Sequence, residues 1–125
     1  MALRKVLLVD DSRIDHFLAI QMFRAQSPDV QITSAYDGNE ALELLESQGC
    51  FDVILLDVNM PGLDGFGFLE KYTARYPDVV TPVVMLTTSS HANDIERSRA
   101  FSCVHSYQSK PLRPALIELL QNVLA

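Results

Sequence analysis

Four short apolar runs in this chain end in polar residues that could act together. Val6-Leu7-Leu8-Val9 runs into Asp10-Asp11, and Val53-Ile54-Leu55-Leu56 runs into Asp57. Val83-Val84-Met85-Leu86 runs into Thr87-Thr88, and a weaker run, Val104 to Tyr107, is followed closely by Lys110. Carboxylates held within a few ångströms repel one another, and at neutral pH they coexist through raised pKa values or a cation. A hard divalent ion meets that need, and Mg2+ suits a site of a few carboxylates that leaves room for water. Lys110 adds a positive charge on the other side. Such a set suits a phosphoryl group, with metal and lysine neutralising its oxygens while a carboxylate attacks phosphorus.

Each residue taken alone also has a plainer reading. Asp10-Asp11 can end a strand and cap a helix, Thr87 within Thr87-Thr88-Ser89-Ser90 can be turn chemistry, and Tyr107 can be a partly buried aromatic. Asp57 resists that treatment, because an unpaired carboxylate behind four apolar residues is costly to desolvate. Lys110 resists it too. A cation near a helix start opposes the helix dipole, so a specific anionic partner is the better account.

The elements that must position these residues alternate along the chain. Strands are expected at Lys5 to Val9, Val30 to Ala35, Phe51 to Leu56, Pro82 to Thr87 and Val104 to Tyr107. The first, third and fourth contain nearly continuous apolar runs rich in β-branched residues, as strands buried on both faces of a parallel sheet are. The second alternates, like an edge strand. Between them lie helical patterns. Ile14, Phe17, Leu18, Met22 and Phe23 predict one apolar face on a first helix, with Ser12 as N-cap and Pro28 at the exit. Asp37 and Glu40 resemble a capping box ahead of Ala41, Leu42, Leu44 and Leu45, and Gly49 closes that helix. Further helices are expected from about Gly65 to Arg75, from about Asn93 to Phe101, and from Pro111 or Pro114 onward through Leu116, Ile117, Leu119, Leu120, Val123 and Leu124. Strand and helix joined by short connections imply right-handed βαβ crossovers and a three-layer α/β sandwich. The useful crevice of such a sheet lies outside the carboxyl ends of its strands, where the acids stand.

Composition narrows the field. With 125 residues, 48% hydrophobic and 21% charged, the chain reads as one globular domain over 1–125, without an output domain. A formal charge of −6 argues against nonspecific binding to a phosphate backbone. Cys50 and Cys103 are expected as reduced, half-buried thiols of a cytoplasmic protein, and no apolar run is long enough for a signal peptide or a membrane span. Charge is uneven: residues 1–70 carry 12 acids and 4 bases, residues 71–125 carry 4 acids and 6 bases. His16 and His91 are expected on surfaces, and His105 as structural or solvent-facing.

The stretches Val6 to Ser12, Asp52 to Gly65, Pro82 to Thr87 and Lys110-Pro111, in this order and spacing, resemble the receiver domains of two-component response regulators. The resemblance covers essentially the whole chain and is closest to the stand-alone, chemotaxis-type receivers. It implies the flavodoxin-like, doubly wound five-stranded parallel sheet in the order 2-1-3-4-5, with helices on both faces. It also assigns roles. Asp57 would be the phospho-acceptor, receiving the group from a sensor histidine kinase or a histidine phosphotransfer protein. Asp10, Asp11, Asp57 and the backbone carbonyl of Asn59 would hold Mg2+. Lys110 and Thr87 would bind the phosphoryl oxygens, and the Lys110–Pro111 bond would be cis. Thr87 and Tyr107 would form the switch, while Asn59 and Ser89 would tune the hydrolysis that ends the signal. The partners implied are that donor and a downstream protein on the surface of the fourth helix, fifth strand and fifth helix. A homodimer is compatible with this, and neither nucleic acid nor membrane is expected. The protein would not be an enzyme in the turnover sense.

Some residues depart from the pattern. Cys103 stands where receivers commonly have a glycine after the fourth helix, so that helix must end differently. Leu86-Thr87-Thr88-Ser89-Ser90, with Asp94-Ile95 and Ser98, looks like the receivers that accompany bacterial phytochrome kinases, although the spacing from Asp11 to Asp57 leaves no room for the insertion many of those carry. Arg97, Arg99 and Arg113 fall on partner-facing elements and suggest an acidic partner. Three other functions compete. A Mg2+-dependent phosphatase on a related sheet would want a second carboxylate at the position of Asn59. A flavin-nucleotide carrier would want a Ser-, Thr- and Gly-rich loop where Asp10-Asp11-Ser12 stands. A bare binding module would have no need of the acidic set and Lys110.

Overall fold

The computed structural model describes residues 3–78, 81–89 and 91–123; the expectations placed on Ser90, Leu124 and the Val123 side chain lie outside them. Strand and helix alternate as β1 (Lys5–Val9), α1 (Arg13–Gln26), β2 (Gln31–Ala35), α2 (Gly38–Gln48), β3 (Val53–Leu56), α3 (Gly65–Arg75), β4 (Val83–Thr87), α4 (Ala92–Arg99), β5 (Val104–Ser109) and α5 (Pro114–Val123). All strand pairs are parallel, in the order β2-β1-β3-β4-β5. The sheet side chains alternate between two apolar cores. Leu7, Val9, Ile54, Leu56, Val83 and Met85 pack with α2 and α3, whereas Val6, Leu8, Val53, Leu55, Val84 and Leu86 pack with α1 and α5. Burial on both faces is why the runs read as continuously apolar. Among the described residues no helix is long and apolar enough to cross a membrane.

Helix ends follow their local chemistry. The Ser12, Asp37 and Asp64 side chains accept from the backbone N–H groups of Asp15, Glu40 and Gly67, capping α1, α2 and α3. The return half of the capping box is shifted by one residue, because Glu40 accepts from the N–H of Tyr36. Gly49 ends α2 at φ 76°, in the left-handed region that glycine enters without strain. At α4 there is no such residue. The helix stops at Arg99, two residues short of the expected Phe101, and Ala100 stays right-handed at φ −70°. Tight turns then carry the chain to Val104, whose N–H donates to Phe101 O at 3.1 Å.

Three expectations need correcting. The apolar face predicted for α1 is only partly its buried face: Phe23 is buried and Met22 packs against the core, but Ile14, Phe17 and Leu18 are exposed, while His16 and Ala19 point inward. Ile14 with Phe17 and Leu18, and His16 with Ala19 and Phe23, both recur at spacings of three and four on opposite sides of the helix, so periodicity cannot choose between them. His16 is therefore buried rather than on the surface. Cys50 is exposed rather than half-buried; Cys103 is intermediate, and both thiols are free.

Strand β5 is longer than its weak pattern suggested. Its pairing slips where Val83 faces Val104 but Val84 faces Ser106, leaving His105 as the extra, exposed residue of a bulge. The bulge breaks the alternation that the sequence pattern depends on. The three arginines singled out for a partner all have contacts within the chain. Arg97 lies 4.0 Å from the Phe66 ring centre, Arg99 pairs with Glu96 at 3.0 Å, and Arg113 donates to Ser109 O at 3.3 Å.

Candidate functional site

Backbone hydrogen bonds continue past the strand ends and hold the polar residues side by side. Asp10 N–H donates to Ala35 O at 3.0 Å, Asp57 N–H to Val9 O at 2.9 Å, and Lys110 N–H to Thr87 O at 3.0 Å. The residues that leave the sheet therefore leave it from fixed positions. Gly65 lets α3 begin immediately behind Asp57. A Cβ there would lie 2.4 Å from Asp57 O and 2.9 Å from Val58 Cα, both backbone atoms that cannot yield.

Asp10, Asp11 and Asp57 converge as expected, each offering an oxygen, with those oxygens all within 4.8 Å of one another. Asp10 and Asp57 are buried and Asp11 is exposed. Asp10 Oδ1 accepts from Ser12 N–H at 2.9 Å, and its Oδ2 sits 2.7 Å from Lys110 Nζ. Lys110 Nζ also donates to Asp57 Oδ2 at 3.1 Å. Asp57 Oδ1 is buried and has no hydrogen-bond partner among the described residues. An orphaned carboxylate oxygen inside a cluster of acids is what a divalent cation would satisfy, so the residues present fit Mg2+. The Lys110–Pro111 bond is cis.

Charges in the cluster shift one another. Burial raises the carboxyl pKa of Asp10 above its ordinary 3.8, against the opposing pull of Lys110 and the Ser12 N–H; the nearby Asp57 charge adds to the rise. For Lys110 burial works against the charge, but its bonds to Asp10 and Asp15 and the charge of Asp57 more than offset it. The ammonium is held above the usual lysine range.

Thr87, Ser89 and Tyr107 form a second, linked group. Thr87 is fully buried, and its Oγ1 accepts from Ser89 N–H at 3.2 Å. The Tyr107 hydroxyl donates to Ser89 O at 2.9 Å, and the Ser89 hydroxyl donates to Asp94 Oδ2 at 2.5 Å. The loop after β4 is thus tied to β5 on one side and to the first turn of α4 on the other. Asn59 is exposed two residues beyond Asp57.

Two residues at the site were not singled out from the sequence. Asp15, on the first turn of α1, accepts from Lys110 Nζ at 2.7 Å. Its only sequence signal was an acid near a helix start, which the helix dipole explains by itself. His16 is the other. Its Nε2 donates to Asp10 O at 2.7 Å, and its Nδ1 is hydrogen-bonded to the Ser34 hydroxyl at 2.9 Å. Its ring lies 4.3 Å from that of Tyr36, tilted by 43°, and it buttresses the backbone of Asp10 from behind.

The fold is shared with known proteins. Residues 6–122 match the family described as the response regulator receiver domain. The chemotaxis protein CheY4 of Vibrio cholerae is 33% identical and superposes with a TM-score of 0.84, covering 98% of this chain and 100% of that one. The phosphorylated cyanobacterial phytochrome response regulator RcpA is 27% identical, with a TM-score of 0.79 over 98% of this chain and 91% of that one. A protein-glutamate methylesterase/protein-glutamine glutaminase of Anaeromyxobacter dehalogenans is 31% identical over 121 residues, 96% of this chain. The chain spans about a third of that relative's length, 33%.

Proposed function

The chain belongs to the response regulator receiver family, and from that premise we propose that it is a phosphorylation-dependent signalling switch with Asp57 as the acceptor. The observation that carries the reading is the environment of Asp57. One of its oxygens is held by Lys110 at 3.1 Å, and the other is buried without a hydrogen-bond partner among the described residues, amid Asp10 and Asp11. The partnerless oxygen suits a cation, and Lys110 at the other stands ready to neutralise the charge of a group transferred to this carboxylate.

In the proposed step an Asp57 carboxylate oxygen attacks the phosphorus of a phosphohistidine on a sensor kinase or phosphotransfer protein. The new P–O bond forms as the P–N bond breaks, and the imidazole nitrogen leaves with the bonding pair. Asp10, Asp11, Asp57 and the carbonyl of Asn59 would hold Mg2+, which when bound neutralises the carboxylates and the phosphoryl oxygens. Lys110 screens the charge that builds on the transferred group. Thr87 then turns its hydroxyl toward the phosphoryl group, releasing the Ser89 N–H. Ser89 also anchors Tyr107 and Asp94, so that release alters the face formed by α4, β5 and α5. The output is a protein contact made in the cytoplasm, without catalytic turnover on a separate substrate. Water later hydrolyses the acyl phosphate, with access shaped by Asn59 and Ser89.

Intact-mass analysis after incubation with Mg2+ and acetyl phosphate tests the reading. The parent should gain one phosphoryl group and Asp57→Asn none. A parent that binds Mg2+ yet stays unmodified, both with acetyl phosphate and with a phosphohistidine donor, would sink it.

A further inference from the structure

Lys110 has more negative partners than the proposed phosphoryl chemistry requires. Its ammonium has three N–H bonds, and three carboxylates surround it: Asp10 Oδ2 at 2.7 Å, Asp15 Oδ2 at 2.7 Å and Asp57 Oδ2 at 3.1 Å. A phosphoryl group on Asp57 can be neutralised by Lys110 only if one of those bonds is given up. The three are not equally easy to release. The side chains of Asp10 and Asp57 are 3% and 7% exposed, whereas that of Asp15 is 38% exposed. A buried carboxylate left unpaired pays the full desolvation penalty; a half-exposed one rehydrates.

Asp15 also stands apart in position. It is not part of the set formed by Asp10, Asp11 and Asp57, so a cation there does not depend on it. Its backbone N–H is occupied by the Ser12 cap, so the side chain can swing away while the first turn of α1 stays intact. Once free, its charge remains near the positive end of the helix.

We propose that Asp15 is a competing counter-ion for Lys110, a positioning residue that holds the ammonium at rest and must surrender it when a phosphoryl group forms on Asp57. This rests on reading Asp57 as the acceptor. On this view Asp15 slows phosphoryl uptake by occupying the donor that the incoming group needs.

The test follows phosphoryl uptake from phosphoramidate with Mg2+ by intact mass, comparing the parent with Asp15→Asn and Asp15→Glu. Asp15→Asn should react about threefold to tenfold faster, the effect of losing one partly exposed ion pair, and Asp15→Glu should stay near the parent. The acceleration should persist at 0.5 M salt, roughly where repulsion acting through solvent is screened within a few ångströms. Calorimetric Mg2+ affinity should change by about twofold or less, since a half-exposed charge outside the ligand set acts only through solvent. An Asp15→Asn rate equal to or below the parent's overturns the proposal. So does an acceleration that disappears in salt, which would mark general repulsion, or a large loss of Mg2+ affinity, which would place Asp15 in the metal set. If neither the parent nor Asp15→Asn takes an adduct, the acceptor reading fails and this proposal with it; equal rates with an adduct overturn this proposal alone.

Discussion

At Asp10 the demands of the site and of the fold conflict. The carboxyl pKa is raised by burial, so the folded protein prefers the neutral acid. That preference is fully expressed below the ordinary value of 3.8 and is lost as pH rises through the raised one. At neutral pH the ionised Asp10 therefore opposes folding, while Lys110 still has Asp15 and Asp57 as partners. Asp10→Asn should stabilise the metal-free protein at pH 7 and raise its Tm. The gain should fade as pH is lowered toward 4, and Mg2+ should raise the Tm of the parent far more than that of the variant. Thermal melts across pH, with and without Mg2+, would check both. A variant less stable than the parent at pH 7 would mean that the bond to Lys110 outweighs the burial.

Among the elements, α1 is where pattern and packing part company. Its inward face is selected by His16, which reaches back to the carbonyl of Asp10 and across to Ser34 on β2. With that phase set, Phe23 is buried and Phe17 is turned to solvent. Phe23→Ala should cost about 3–5 kcal/mol in urea denaturation, whereas Phe17→Ala should stay within roughly 0.5 kcal/mol. Equal costs would mean that the helix packs on its other face. The same logic explains α4. Without a glycine to adopt a left-handed cap, the helix ends early in right-handed turns, and Arg97 spans the gap to the Phe66 ring of α3.

For the molecule as a whole, the decisive feature is that one sheet carries both cores. Alternate residues of β1, β3 and β4 belong to opposite clusters, so neither helical layer can leave without exposing strands that the other layer needs. Unfolding in urea should therefore be a single transition, with far-ultraviolet circular dichroism and tyrosine fluorescence changing together. Tyr72 and Tyr76 sit on the α2–α3 side, so non-coincident curves would reveal a layer that melts independently. Signalling through such a body has to be local. The hydrogen bonds joining Thr87, Ser89, Tyr107 and Asp94 lie at the end of the sheet, where the loop after β4 can rearrange with both cores intact.

The strand-and-helix order, the parallel sheet and the convergence of Asp10, Asp11, Asp57 and Lys110 were legible in the sequence. Each depends on a short-range signal: an apolar run, a cap, or a polar residue directly after a strand. Once strands are parallel and adjacent, their ends must meet. The rest depended on which distant groups came within reach. Asp15 and Lys110 are 95 residues apart, and nothing in either neighbourhood announces the pair. The burial of His16 follows from hydrogen bonds to Asp10 O and to the Ser34 hydroxyl, two distant segments of the chain, and the exposure of Ile14, Phe17 and Leu18 follows from it. The bulge at His105 comes from a register slip between β4 and β5. Periodicity specifies that a helix has faces and a strand has ends; only the packed structure specifies which face turns inward and which charges meet there.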